Sequence, residues 1–362
     1  MLRGSSILDR YTLREFVWPF VFCVVGFTVI LLSGLLFELV DYILVKKIPF
    51  GTVVKMLLYY LPSIVVMTLP IASLFSTLLA LGRFNEDSEL KIMRSCGLPY
   101  WRIVIPVIIA GLIISGLTYV ANERIVPWAN HEFQTLLRQI VYREDMPLIE
   151  ENVFFLGGEN RYFYINEVDK QAGRIKNILI YETMPNQYPR LITADSGNYQ
   201  DNNWFLYDGI VQELDQDGYV SYQTKFESMK IITPDSPEVY FGNQRTTDEM
   251  SRKELKQYIE RFQRSGLQVL SFVTEYHLKL AMPMASFIFV LFGAPLSLYS
   301  KSSKSFGIAV SLVVTLLYYV ATPVCKSLAV NELLPPLMAA WLTNSIFAVI
   351  GIVLLIKADW LR

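Results

Sequence analysis

Residues 16–37 read FVWPFVFCVVGFTVILLSGLLF, 22 positions without a single Asp, Glu, Lys or Arg. A helix rises about 1.5 Å per residue and the hydrocarbon layer is about 30 Å thick, so roughly 20 such residues cross it. Five further charge-free windows follow, at 56–82, 103–122, 280–300, 305–325 and 333–356. The window at 56–82 is 27 residues long and holds Pro62 and Pro70, which predicts a kinked or tilted span. Strand edges in lipid leave backbone groups unsatisfied, so all six windows are expected to be helices. Any one alone also suits a buried helix of a soluble protein; six together do not.

The whole composition agrees with that reading. Of 362 residues, 53% are hydrophobic and 18% charged, where about 25% charged is usual, and the mean hydropathy is +0.36. So apolar a chain is not disordered. Its net charge of −1 lacks the basic excess of a nucleic-acid binder. That near-zero value is a cancellation. Residues 123–279 hold 17 Lys/Arg against 24 Asp/Glu, a net −7, which leaves +6 for the rest. The expected architecture is an α-helical polytopic membrane protein with three spans on either side of an inserted soluble domain. Its parts are 1–122, 123–279 and 280–362.

Lys and Arg in short loops stay on the cytoplasmic side. With the N-terminus inside, that side holds Arg3, Arg10, Arg14, Arg83, Lys91, Arg94, Arg102, Lys301, Lys304, Lys357 and Arg362. The opposite short loops hold only Lys46, Lys47, Lys55 and Lys326. Both termini are therefore expected in the cytoplasm and the soluble domain outside it. The first apolar run is full-length and lacks a small-x-small exit, so it reads as a retained anchor rather than a cleaved signal.

The inserted domain reads as antiparallel β. Alternating runs recur at 153–156, 161–168, 174–182, 191–199, 204–214 and 219–232, and turn residues stand between them, as at Gly157-Gly158 and Asp201-Asn202-Asn203. About half a dozen strands at this spacing predict a small sandwich or roll. Cys23, Cys96 and Cys325 all lie outside it, so no disulfide holds it. After the strands, Ser251 with Glu254 three residues on predicts a capping box opening a polar helix that runs to about Ser265-Gly266.

No catalytic signature emerges. There is no Walker A motif, no nucleophile elbow, and no His/Cys cluster at metal spacing around the two histidines, His131 and His277. Asp215–Asp217 reads as a solvated turn, since the remaining spacing of a calcium loop is missing. The sequence calls for no cofactor, no metal and no enzyme activity.

Two groups of polar residues at the membrane edges carry the functional candidates. Glu38, Asp41, Lys46, Lys47 and Lys55 lie between the first two spans. They suit an outer-leaflet site for an anionic head group, with the lysines as phosphate partners, and they equally suit ordinary anchoring of helix ends. Glu275, His277 and Lys279, just before the fourth span, read in the same two ways. The loop 83–102, RFNEDSELKIMRSCGLPYWR, predicts a short helix over about 87–96, stopped by Gly97 and Pro99. Its Leu90, Ile92 and Met93 beside Glu89, Lys91 and Arg94 fit a helix lying on the inner leaflet. They also fit one that inserts into a groove of a cytoplasmic partner.

The ordered set of such landmarks resembles the LptF/LptG family, the lipopolysaccharide export permeases, over nearly the whole chain. The landmarks are Ile7-Leu8-Asp9-Arg10-Tyr11, Leu81-Gly82-Arg83, Ser88-Glu89-Leu90, Met93-Arg94-Ser95-Cys96-Gly97, Glu275-Tyr276-His277-Leu278-Lys279-Leu280 with Pro283, Ala294-Pro295-Leu296 and Leu334-Pro335-Pro336. The resemblance implies six spans, a periplasmic β-jellyroll, and pairing with a paralogous or identical subunit above a cytoplasmic ATPase dimer. It further implies lipopolysaccharide entering from the outer leaflet of the inner membrane. ATP-driven closure then passes the lipid to a single-span jellyroll protein and a periplasmic bridge protein, the jellyroll's exposed edge pairing with the next bridge protein by strand addition. Residues Ser88, Glu89, Leu90, Met93, Arg94 and Gly97 match the family's coupling helix, with Glu89 at its key acidic position, and Lys46 and Lys47 resemble its phosphate-contacting lysines. The other reading of the chain is a membrane-anchored periplasmic sensor or interaction protein without transport.

Overall fold

A computed structural model describes residues 2–44, 48–141, 153–156, 161–169, 174–182, 190–200, 203–214, 220–232, 245–263, 269–299 and 304–360. Its helices are α1 (Leu2–Leu44), α2 (Phe50–Glu86), α3 (Glu89–Ser95), α4 (Tyr100–Val141), α5 (Arg252–Gln263), α6 (Leu270–Leu296), α7 (Lys304–Val330) and α8 (Pro336–Trp360). The charge-free windows fall on α1, α2, α4, α6, α7 and α8, and all six are long and apolar enough to cross a bilayer. Chain contacts separate one unit, Met1–Ala129 with Val269–Arg362, from a second, Asn130–Gln268.

In the first unit the spans differ sharply in how much protein surrounds them. Of the most apolar stretch, 67% is buried in α2 and 72% in α6, but only 6% in α1, 22% in α7 and 28% in α8. The interior helices are thus enclosed by protein, while α1 packs along α2 and leaves much of its apolar surface uncovered. Lipid tails give no hydrophobic drive for helices to associate, so close backbone approach and internal hydrogen bonds have to hold them together. Gly111 and Gly351 permit such approach. A Cβ at Gly111 meets Val290 Cγ2 at 2.8 Å, and one at Gly351 meets the Phe292 backbone at 3.1 Å. Buried polar side chains then tie the helices: Asn344 Nδ2 donates to the Ala281 carbonyl at 2.7 Å, and the Tyr318 hydroxyl donates to Asn344 Oδ1 at 2.7 Å.

Among the described residues the second unit contains six strands, β1 (Val153–Leu156), β2 (Arg161–Asp169), β3 (Arg174–Glu182), β4 (Arg190–Gln200), β5 (Asn203–Leu214) and β6 (Val220–Ile232). Each starts and ends within one residue of the run read from alternation. They pair antiparallel in chain order, β1 to β6, as one meander. The expected jellyroll-like roll is present in its curvature, whereas the described pairings are all between sequence neighbours. The strand-to-strand connections are short, so each strand meets its neighbour first.

The curvature comes from a crease that crosses the sheet. In β3, Ile178 and Ile180 are buried, but so is Ile175, out of phase with them. In β4, Ile192 and Ala194 are buried, and then Gly197. In β5, Trp204 and Leu206 are buried, and then Gly209. Alternation has period two, so each strand turns a different face inward on either side of one residue. Those residues are Asn177, Asp195 and Asp208, neighbours across the register. Asn177 (φ 50) and Asp208 (φ 52) are left-handed, a conformation that Asn and Asp tolerate better than other side-chain-bearing residues. The crease lets Phe163, Ile165, Ile178, Ile180 and Ile192 on one side share a core with Ile175, Trp204, Leu206 and Ile231 on the other.

A fully buried carboxylate, Glu249, closes this unit. It accepts from Arg138 Nη2 at 2.8 Å and from the Thr246 backbone N–H at 3.0 Å, and it meets His131 Nδ1 at 2.9 Å. The end of α4 is thereby tied to the segment before α5. The capping box read from sequence opens α5, with Ser251 N–H to Glu254 Oε2 at 2.8 Å and Glu254 N–H to Ser251 Oγ at 3.2 Å. The expected helix end at Ser265-Gly266 lies outside the described residues.

Candidate coupling site

The segment joining α2 to α4 is built by backbone chemistry that its sequence dictates. Asp87 N–H bonds the Arg83 carbonyl at 2.9 Å, ending α2, and Ser88 turns the chain in a left-handed conformation, φ 61. α3 then runs for two turns. It stops in a Schellman arrangement: Gly97 N–H bonds the Arg94 carbonyl at 2.9 Å and Leu98 N–H bonds the Met93 carbonyl at 3.2 Å. Gly97 holds φ 88, which a side chain there would strain. Pro99 follows and cannot continue a helix from behind, so α4 starts fresh at Tyr100.

α3 has an inner and an outer face. Leu90, read from sequence as an apolar anchor, is 3% exposed and packs with Phe84, Leu81, Tyr100 and Ile103 in the subunit's own core. Burying a leucine contributes about 1.5–3 kcal/mol, so α3 is fixed to its own chain before any partner arrives. Met93 packs at the edge of the same cluster. The outward apolar residue is Ile92, 63% exposed, with Ser88, Lys91 and Gly97 also exposed and Glu89 and Arg94 half-buried. Tyr100, fully buried, donates its hydroxyl to the Ala294 carbonyl, and Asn85 Nδ2 donates to the Leu298 carbonyl at 3.3 Å. Both flanks of α3 are thus bolted to the end of α6 and the turn that follows it.

The start of α1 meets this segment, which the sequence did not announce. The Tyr11 hydroxyl lies 3.1 and 3.0 Å from the two carboxylate oxygens of Glu89, and the Tyr11 ring stacks on Phe84 at 5.4 Å. Arg102 makes a two-pronged bond to Asp9, at 2.6 and 3.0 Å. Glu15 pairs with Arg83, which also reaches Asp87. The sequence marks two of these positions through the stretch Ile7-Leu8-Asp9-Arg10-Tyr11, but gives no sign of their partners.

The lipid-site candidates are less gathered. Lys46 and Lys47 lie outside the described residues, and Glu38 and Asp41 are described only by their place near the end of α1. Lys55 is exposed in the second turn of α2. Across the same unit, Lys326 on α7 forms an ion pair with Glu275 on α6, and Tyr276 and His277 pack ring to ring at 5.2 Å. No group of three His, Cys, Asp or Glu side chains suited to a metal occurs among the described residues.

The family described as lipopolysaccharide export system permease LptF/LptG matches residues 10–357. The lipopolysaccharide export system permease protein LptF of Escherichia coli (strain K12) is 21% identical over 318 residues, 85% of this chain and 83% of that protein. The LptF protein of Shigella flexneri matches to the same extent. An uncharacterized protein of Rickettsia prowazekii (strain Madrid E) is 27% identical over 192 residues, so the match spans about half of either chain (52%). With a family match over nearly its full length and six bilayer-length helices, the chain belongs to the LptF/LptG family of lipopolysaccharide export system permeases, multi-pass proteins of the inner membrane.

Proposed function

We propose that this chain is the transmembrane subunit of an ABC-type exporter that takes lipopolysaccharide from the outer leaflet of the inner membrane. In this reading a separate cytoplasmic ATPase dimer hydrolyses ATP, a paralogous or identical permease subunit completes the cavity, and both termini of the chain are cytoplasmic. The β-domain is periplasmic and passes the lipid to a single-span jellyroll protein and a periplasmic bridge protein. Residues 1–122 and 280–362 form the two membrane halves and 123–279 the periplasmic domain with its connecting helices. Glu38, Asp41, Lys46, Lys47 and Lys55 form the lipid-binding site, with the lysines as partners of the lipid's phosphates.

The observation that carries this reading is α3. A two-turn helix between two membrane spans is bolted to its own subunit by Leu90 and the Tyr100 hydroxyl, and it presents Ile92 outward with the half-buried Glu89 at its edge. An apolar anchor ringed by charge is what a groove on a soluble partner recognises. The rigid inner face lets a push on the outer face act on the spans rather than on a loose loop. Ser88 and Gly97 set the two turns that hold the helix, and Arg94 and Met93 complete its rim.

The test is co-purification of the complex from membranes. Glu89→Lys is expected to lose the ATPase and its lipopolysaccharide-stimulated hydrolysis while the permease remains in the membrane. Normal ATPase binding and stimulation by Glu89→Lys overturns the assignment. For the lipid site, Lys46→Glu with Lys47→Glu is expected to lower lipopolysaccharide photocrosslinking at the outer ends of α1 and α2. Unchanged crosslinking makes both lysines anchors.

A further inference from the structure

We propose that Tyr11 and Asp9 are positioning residues that fasten α1 to the coupling segment, so that displacement of α3 is delivered directly to α1. The inference rests on the coupling role of Glu89 argued above. It assigns work to the start of α1, which that reading leaves idle.

Only 6% of the apolar stretch of α1 is buried, the smallest share among the six spans, and its packing in the subunit runs along α2, where Thr28 Oγ1 lies 3.5 Å from Thr68 Oγ1 and Phe27 packs edge-on to Phe75. Its cytoplasmic end is different. Three side chains within seven residues reach the end of α2, α3 and the start of α4 in turn. Glu15 pairs with Arg83 at the end of α2, Tyr11 bonds Glu89 in α3 and stacks on Phe84, and Asp9 bonds Arg102 at the start of α4. Phe84 and Arg102 flank α3, so a shift of this segment changes all three attachments at once. A helix whose end is attached at three points follows the segment that carries them.

The chemistry of the Tyr11–Glu89 contact suits this use. A phenol brings one proton, and its oxygen is within 3.1 Å of both carboxylate oxygens. It orients the carboxylate without neutralising it, whereas an arginine in its place cancels the charge. A carboxylate has acceptor sites for about four donors, so Glu89 keeps capacity for a cation on the partner. Glu89 thus serves both contacts at once, outward to the ATPase and inward to α1.

The experiment uses the complete complex in nanodiscs with lipopolysaccharide, and measures retained ATPase, ATP hydrolysis and lipid released per ATP. Tyr11→Phe keeps the ring on Phe84 and removes only the donor. Its ATPase is expected to stay bound and hydrolyse ATP within about twofold of the parent, while lipid released per ATP falls about tenfold, the scale of one lost hydrogen bond to a charged group. Asp9→Arg and Arg102→Asp are each expected to uncouple in the same way. The exchange of both restores at least half of the release, which a general folding defect does not do. Parental release per ATP in Tyr11→Phe overturns the proposal, as does a fall in hydrolysis matched by loss of the ATPase. Failure of the coupling reading shows separately, as a Glu89→Lys complex that still binds and stimulates its ATPase.

Discussion

The rings of Phe163 and Trp204 lie 5.0 Å apart, centre to centre, although one is on β2 and the other on β5. Three strand spacings of about 4.8 Å put such residues some 14 Å apart in a flat sheet. The crease through Asn177, Asp195 and Asp208 closes that gap by turning the two halves of the sheet onto one core. Both rings are fully buried, Trp204 at 1% and Phe163 at 0% exposure. Aromatic truncation in such a core costs about 3–5 kcal/mol. Trp204→Ala is therefore expected to abolish hydrogen-exchange protection across β2–β6 in the full chain. Tyr207→Ala, on the outer face at 40% exposure, is expected to change it by less than about 0.5 kcal/mol. Equal effects of the two substitutions contradict the curled core.

Neighbouring residues on the crease respond to substitution in opposite directions. A Cβ at Gly209 stands 2.2 Å from the Phe226 ring and 2.4 Å from the Thr193 carbonyl, and the carbonyl belongs to a strand that cannot retreat. Gly209→Ala is expected to destabilise the domain by about 2 kcal/mol or more. Asp208, one residue earlier, holds φ 52, where glycine meets no steric cost. Asp208→Gly is expected to be neutral or stabilising by up to about 1 kcal/mol. Urea titration of both variants, followed by protease resistance of the domain in the full chain, reads the two signs.

The spans and strands were legible because each rests on a local pattern: charge-free length for helices, period two for strands. The capping box at Ser251 and the stop at Gly97 were legible for the same reason. The crease was not. Reading 174–182 as one uninterrupted alternation assigns Ile175 and Ile178 to opposite faces, and only the left-handed Asn177 between them reconciles both being buried. Between α2 and α4 the sequence predicts a short helix over about 87–96, close to the observed Glu89–Ser95, and groups Leu90 with Ile92 and Met93 on one apolar side, because a seven-residue helix offers too little periodicity to separate the inward Leu90 from the outward Ile92. The Tyr11–Glu89 contact joins residues 78 apart in the chain, beyond any local pattern.

Asn344 and Tyr318 test how the membrane unit is held. Asn344 bridges α8 to the Ala281 carbonyl of α6 while accepting from Tyr318 of α7, all buried, so one amide links three spans. Hydrogen bonds between membrane helices contribute about 0.6–2 kcal/mol each. Tyr318→Phe is expected to cost about 1 kcal/mol and Asn344→Leu about 2. The double variant is expected to cost no more than Asn344→Leu alone, because the bond shared by both residues is lost only once. Thermal unfolding of the four proteins in one detergent measures the cycle. Simple additivity shows that the two side chains act separately.

Glu254 supplies a dependence on pH whose sign follows from its partners. Partial burial pushes its carboxyl up, but the Ser251 N–H and hydroxyl and the Arg245 guanidinium outweigh this and hold it below the ordinary glutamate value. A folded-state pKa lower than the unfolded one stabilises above the unfolded value, about 4.3, and that contribution disappears as pH falls through the folded value. The start of α5 is therefore expected to lose its cap in acid and to keep it unchanged from neutral pH down to about 5. Hydrogen exchange over 252–263, corrected for the intrinsic pH rate, reads this in the parent and in Glu254→Gln. Glutamine accepts the same hydrogen bonds without the charge, so parent and variant should differ at pH 7 and converge near pH 3. A difference that persists unchanged to pH 3 means that the cap does not depend on the ionised carboxylate.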